Sequence, residues 1–71
     1  MHDFKEIIPA LKAKLSIRRK EWEPMTQMYV VGDHMVCQRG YAEPYKYDLS
    51  WYEIDASDWE IADTGFPRLQ V

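Results

Sequence analysis

Residues 28 to 38, Met-Tyr-Val-Val-Gly-Asp-His-Met-Val-Cys-Gln, limit what this chain can fold into more than any other stretch. Two runs rich in β-formers flank Gly32-Asp33, a two-residue connection with glycine in its first position, and this predicts a hairpin over about 28–38. A two-residue turn sets the register. Val30 then faces Met35 and Met28 faces Cys37 on one side, while Tyr29 faces Val36 and Val31 faces His34 on the other. Both sides are largely apolar. One helix covers only one side of so small a sheet, so the second side needs another cover, and a second copy of the chain is the economical choice.

The first helix is written in the opening residues. Asp3 and Glu6 have the spacing of a capping box, and Phe4, Ile7, Ile8 and Leu11 recur at helical period with Lys5, Lys12 and Lys14 on the opposite side. This predicts a helix over about 4–14, although Pro9 removes one backbone bond within it. Alternation over 15–19 predicts a short strand, closed by Pro24. Tyr45, Tyr47 and Leu49 share one face of an extended segment around Pro44. Ser50 and Glu53 repeat the capping-box spacing, so 51–55 is expected to be a short helix, and Trp59-Glu60-Ile61-Ala62 alternates as a last strand. Thr64-Gly65-Phe66-Pro67 has the composition of an irregular tail. The expected fold class is α+β: one small domain, 1–71, with an N-terminal helix packed on a small antiparallel sheet and a short second helix before the last strand.

A chain of 71 residues buries only about 60% of the surface its unfolded form exposes. Its single cysteine, Cys37, forms no intramolecular disulfide, and no charged-then-apolar stretch opens the sequence. The expected compartment is therefore a reducing cytosol. The apolar runs fall far short of the roughly 20 residues that span a bilayer, so no membrane association is expected. Charge is unevenly placed: residues 1–23 carry six cations against four carboxylates, and 24–71 carry three against eight. Duplex nucleic acid, which needs many neutralised phosphates, is not the expected partner. A small anion that needs two or three cations can be met at Arg18-Arg19-Lys20.

Catalytic signatures are sparse. The three glycines form no phosphate-binding loop, and no nucleophile elbow is present. His34 and Cys37 stand three apart, which in a strand points them to opposite faces. The carboxylate pairs Asp55/Asp58 and Asp58/Glu60 have little wall from which to build a cleft that separates their pKa values. No catalytic residue, metal or cofactor is expected. The aromatic content points elsewhere. Three tryptophans and five tyrosines, each burying about 150–250 Å², exceed what so small a core hides. Aromatic faces beside guanidinium groups suit a nucleotide-like ligand, and Arg19 with Trp22 is the leading pair.

Two motifs carry a family resemblance. Phe4-x-Glu6 through Ala10-Leu11-Lys12, followed by Ile17-x-Arg19-x-x-Trp22, resembles the opening of the phage and prophage Thoeris anti-defence two-like domain. Ala56-Ser57-Asp58-Trp59-Glu60-Ile61 resembles its closing signature. Lys14 stands where that family has a helix-ending glycine. The resemblance implies a phage-encoded, non-enzymatic anti-defence protein that sequesters a cyclic nucleotide-type immune messenger in the cytoplasm of the infected bacterial host. It also implies a homo-oligomer with ligand sites near subunit boundaries. On that reading Trp22, with Tyr29 or Tyr41, stacks on a base, while Arg19, with Arg18 or Arg39, pairs with phosphate. The alternative is an acidic protein-interaction module that inhibits a host protein, resting on the negative balance of residues 24–71.

Overall fold

The computed structural model describes residues 2–70. Its elements run α1 (Phe4–Lys12), β1 (Ile17–Arg19), β2 (Thr26–Val31), β3 (His34–Arg39), β4 (Tyr45–Lys46), α2 (Trp51–Ile54) and β5 (Trp59–Ile61). The five strands form one antiparallel sheet in the order β4-β3-β2-β1-β5. The fold is α+β, with an N-terminal helix on a small antiparallel sheet and a short second helix before the last strand.

Both capping boxes form. Asp3 accepts from the Glu6 backbone N–H at 2.9 Å and Glu6 returns the bond to Asp3 N–H at 3.1 Å; Ser50 and Glu53 do the same for α2. Pro9 lies inside α1, so its missing donor is tolerated within the helix and does not end it. The helix stops two residues earlier than the apolar period indicates because Lys14 turns left-handed, with φ of 67°. Lys14 N–H then bonds Leu11 O and Leu15 N–H bonds Ala10 O, both at 3.0 Å. That pair of bonds is a Schellman motif closing on a lysine, in the conformation for which glycine is the usual residue.

The hairpin has the expected register, with Met28 opposite Cys37, Tyr29 opposite Val36, Val30 opposite Met35 and Val31 opposite His34. It extends slightly beyond 28–38, to Thr26 and Arg39. Gly32 takes positive φ and Asp33 does not, the pattern of a type II′ turn. The first strand begins at Ile17, two residues later than expected, and the last ends at Ile61. His2, at the margin of the chain, pairs by backbone with Trp59 on the outer side of β5, with N···O distances of 2.8 and 2.9 Å.

One face of the sheet meets α1. Ile7 and Leu11 from the helix join Ile17, Met28 and Trp59 in a buried cluster. Trp59 centres it, with Phe4 at 5.3 Å and Trp22 at 5.4 Å between ring centroids. The opposite face carries Gln27, Tyr29, Val36 and Gln38, and residues 66–70 of the same chain close over it. Gln38 is the hub: its amide donates to Gly40 O at 2.8 Å and Pro67 O at 2.7 Å, and its carbonyl accepts from Tyr29 OH at 2.7 Å and Leu69 N–H at 2.9 Å. Gln27 donates to Phe66 O at 3.2 Å. The Arg68 guanidinium lies 5.7 Å from the Tyr29 ring centroid. The segment expected to be a loose tail is therefore a strap. With it in place, the inference that the second face needs another copy of the chain loses its premise.

Candidate functional site

Two concavities hold the residues of interest, linked by Glu21, which lines one and pairs with Arg19 of the other. The first, about 370 Å³, is lined by Trp22, Thr26, Cys37, Arg39, Tyr45 and Tyr47, with Glu21 and Glu23 at its margin. Local structure explains the convergence. The turn after β1 brings Trp22 back over the sheet, held by its N–H to Arg19 O at 3.0 Å. β3 and β4 pair with Cys37 opposite Tyr45, and the two-residue spacing of Tyr45 and Tyr47 turns both rings to the same side, 6.3 Å apart. Trp22 meets Tyr47 edge-on at 6.0 Å. Tyr47 donates its hydroxyl proton to the Glu53 carboxylate, and burial together with that bond raises its pKa far above the ordinary phenol. Burial pushes the Cys37 thiol up as well, so it remains protonated at neutral pH and is a poor nucleophile.

Arg39 is half exposed and, among the described residues, its only ion pair is with the exposed Glu23 at 3.4 Å. An exposed pair of this kind is worth about 0–1 kcal/mol, so a stronger anion displaces Glu23 at little cost. The rim is acidic, and any anion taken here must be held by Arg39 against Glu21 and Glu23.

The second concavity, about 450 Å³, is lined by Arg19, Trp51, Tyr52 and the segment Asp55–Asp58. Arg19 is buried and is engaged through Nε and Nη2. Its Nε donates to Asp58 Oδ1 at 2.8 Å, its Nη2 pairs with Glu21, and its guanidinium sits 5.4 Å from the Tyr52 ring centroid. The Arg19 hydrogen bond holds the Asp58 carboxyl below its ordinary pKa. A guanidinium flanked by two carboxylates has its charge balanced within the chain and attracts a phosphate weakly.

Among the six residues singled out from the sequence, Trp22 and Arg39 share one concavity and Arg19 lines the other. Three lie elsewhere. Tyr29 is 1% exposed, beneath the strap, and stacks on no ligand. Arg18 donates to Glu60 at 3.0 Å and to Trp22 O at 2.6 Å, tying β1 to β5 and to the turn. Tyr41 is exposed on the far side of the sheet, edge-on to Phe66 at 4.9 Å. Tyr45 and Tyr47 line the site without having been singled out. Their alternation was visible, but the pairing of β4 with β3 that brings them beside Trp22 was not.

Among the described residues, no group of three or more His, Cys, Asp or Glu side chains is placed to hold a metal ion. No helix among them is long and apolar enough to cross a membrane. No family model matches the chain, and neither a curated protein nor a solved structure matches it. The likeness to the Thoeris anti-defence two-like domain thus rests on its two sequence motifs.

Proposed function

We propose that this protein binds a nucleotide-type ligand in the concavity of Trp22, Tyr45, Tyr47 and Arg39, and holds it without altering it. The observation that carries the reading is the convergence of Trp22 and Arg39 with two further aromatic rings in one space of about 370 Å³. That is within the ordinary range for small-molecule sites, roughly 300–1,000 Å³, though at its lower end. A base stacks on Tyr45 with Trp22 beside it, and Arg39 exchanges Glu23 for a phosphate. The resemblance extends the reading to a phage anti-defence protein that sequesters a cyclic nucleotide immune messenger in the host cytoplasm. A cyclic dinucleotide exceeds a space this small, and a homo-oligomer, which the resemblance implies, would complete the enclosure.

Calorimetry with cyclic di- and trinucleotides and cyclised ADP-ribose tests it. Sequestration requires nanomolar affinity, about −12 kcal/mol, and no heat with any of these overturns the reading. Arg39→Ala is expected to weaken binding at least tenfold, with partial recovery in Arg39→Lys. Arg39 is exposed, so stability should not move in either variant. Trp22→Ala is a poorer probe because Trp22 packs on Trp59. Ligand released by heat must return with unchanged mass; an altered mass would mean chemistry, not capture.

A further inference from the structure

We propose that the surface formed by Trp51, Tyr52 and Asp55 docks a basic segment of a partner protein, which inserts an arginine or lysine side chain beside the two rings. The site is separate from the concavity of Trp22 and Arg39 and does not depend on what that concavity binds. Trp51 is 81% exposed and Tyr52 72%, and α2 buries none of its residues. Neither ring is therefore a core anchor. Tryptophan and tyrosine are the residue types that most often dominate protein interfaces, and each has about 150–250 Å² to bury.

Charge selects the partner. Arg19 is balanced by Asp58 and Glu21, whereas the Asp55 carboxylate has no ion pair or side-chain hydrogen bond among the described residues. The surface already displays the chemistry it would use: the Arg19 guanidinium rests over Tyr52 and pairs with Asp58 from inside the fold. An incoming cation repeats that arrangement from outside, with Trp51 supplying the ring and Asp55 the carboxylate. The concavity is shallow and open, so a free amine would stay largely hydrated. Covering two rings that stand out from the surface takes the area of a macromolecule. The excess of carboxylates over residues 24–71 favours a basic one.

Nuclear magnetic resonance titration with a short arginine-containing alanine-glycine peptide, and with its glutamate counterpart, tests this on the intact chain. The arginine peptide is expected to move the Trp51 indole N–H resonance saturably, and the glutamate peptide to leave it in place. Trp51→Ala, followed through the Tyr52 ring resonances, and Asp55→Asn, followed through the indole, should each weaken binding roughly three- to tenfold. Neither residue is in the core. Asp33→Asn, which removes one carboxylate at the hairpin turn, should leave the affinity unchanged. A stationary indole resonance overturns the proposal. So does an equal response to the glutamate peptide, or a loss in Asp33→Asn as large as in Asp55→Asn, since either would mean diffuse attraction and no site.

Discussion

The two faces of the sheet are covered in different ways. On one, α1 lays Ile7 and Leu11 against Ile17, Met28 and Trp59, and the contact is apolar and nondirectional. On the other, residues 66–70 have no regular structure and are held by Gln27, Tyr29 and Gln38 through hydrogen bonds. The first face tolerates any side chains of the right size and period. The second depends on one buried amide whose two donors and two acceptor positions are all used. Apolar periodicity therefore identifies a helical cover and is blind to a strap, because the strap's specificity resides in a glutamine that composition scores as polar.

Two substitutions test that contrast, and two more probe smaller local terms. Trp59→Ala empties the centre of the helix face and is expected to cost about 3–5 kcal/mol, read as a large fall in the urea midpoint at 25 °C. Gln38→Ala leaves buried partners on the strap face unsatisfied, with an expected loss of roughly 2–3 kcal/mol. Its distinguishing signature is faster hydrogen exchange at Leu69 and Gln70 with the helix still protected. Equal loosening of both faces would show that the strap and the helix unfold as one unit.

Asp58→Asn breaks the pair with Arg19 and is expected to cost roughly 1.5 kcal/mol near neutral pH. Asp58 is held below its ordinary pKa in the folded chain, so its contribution is complete above the unfolded value of about 3.9. It is lost as pH falls through the lower folded value. The stability difference between wild type and variant should therefore close on acidification, and a difference independent of pH would assign the effect to packing. The smallest change has the opposite sign. Lys14→Gly relieves a left-handed residue at a cost of about 1–2 kcal/mol, less the backbone freedom that glycine adds to the unfolded chain, about 0.5–1 kcal/mol. A net gain of about 0.5–1 kcal/mol is expected, read as a higher urea midpoint at unchanged slope.

Much of the fold was legible because its signals are local. The capping boxes at Asp3/Glu6 and Ser50/Glu53, the apolar period of α1 and the Gly32-Asp33 turn each follow from residues within a few positions of one another. The register of β2 on β3 follows from the length of the turn. Of the candidate site, Arg19, Trp22 and Arg39 were legible as residue types, and Tyr45 and Tyr47 as an alternating pair.

Their roles depend on contacts distant in sequence. Arg19 was expected to meet a phosphate, but Asp58, 39 positions away, takes its guanidinium. Tyr29 was expected to stack on a ligand, and the strap that buries it lies about forty residues downstream. Sequence alone determined the elements, the hairpin and the class of fold, because hydrogen-bonded turns and periodic burial are set by near neighbours. Only the tertiary structure decided which cations are spent on the chain's own carboxylates and which apolar face is already covered. Those depend on which distant segments the sheet brings within a few ångströms, and no local pattern encodes that.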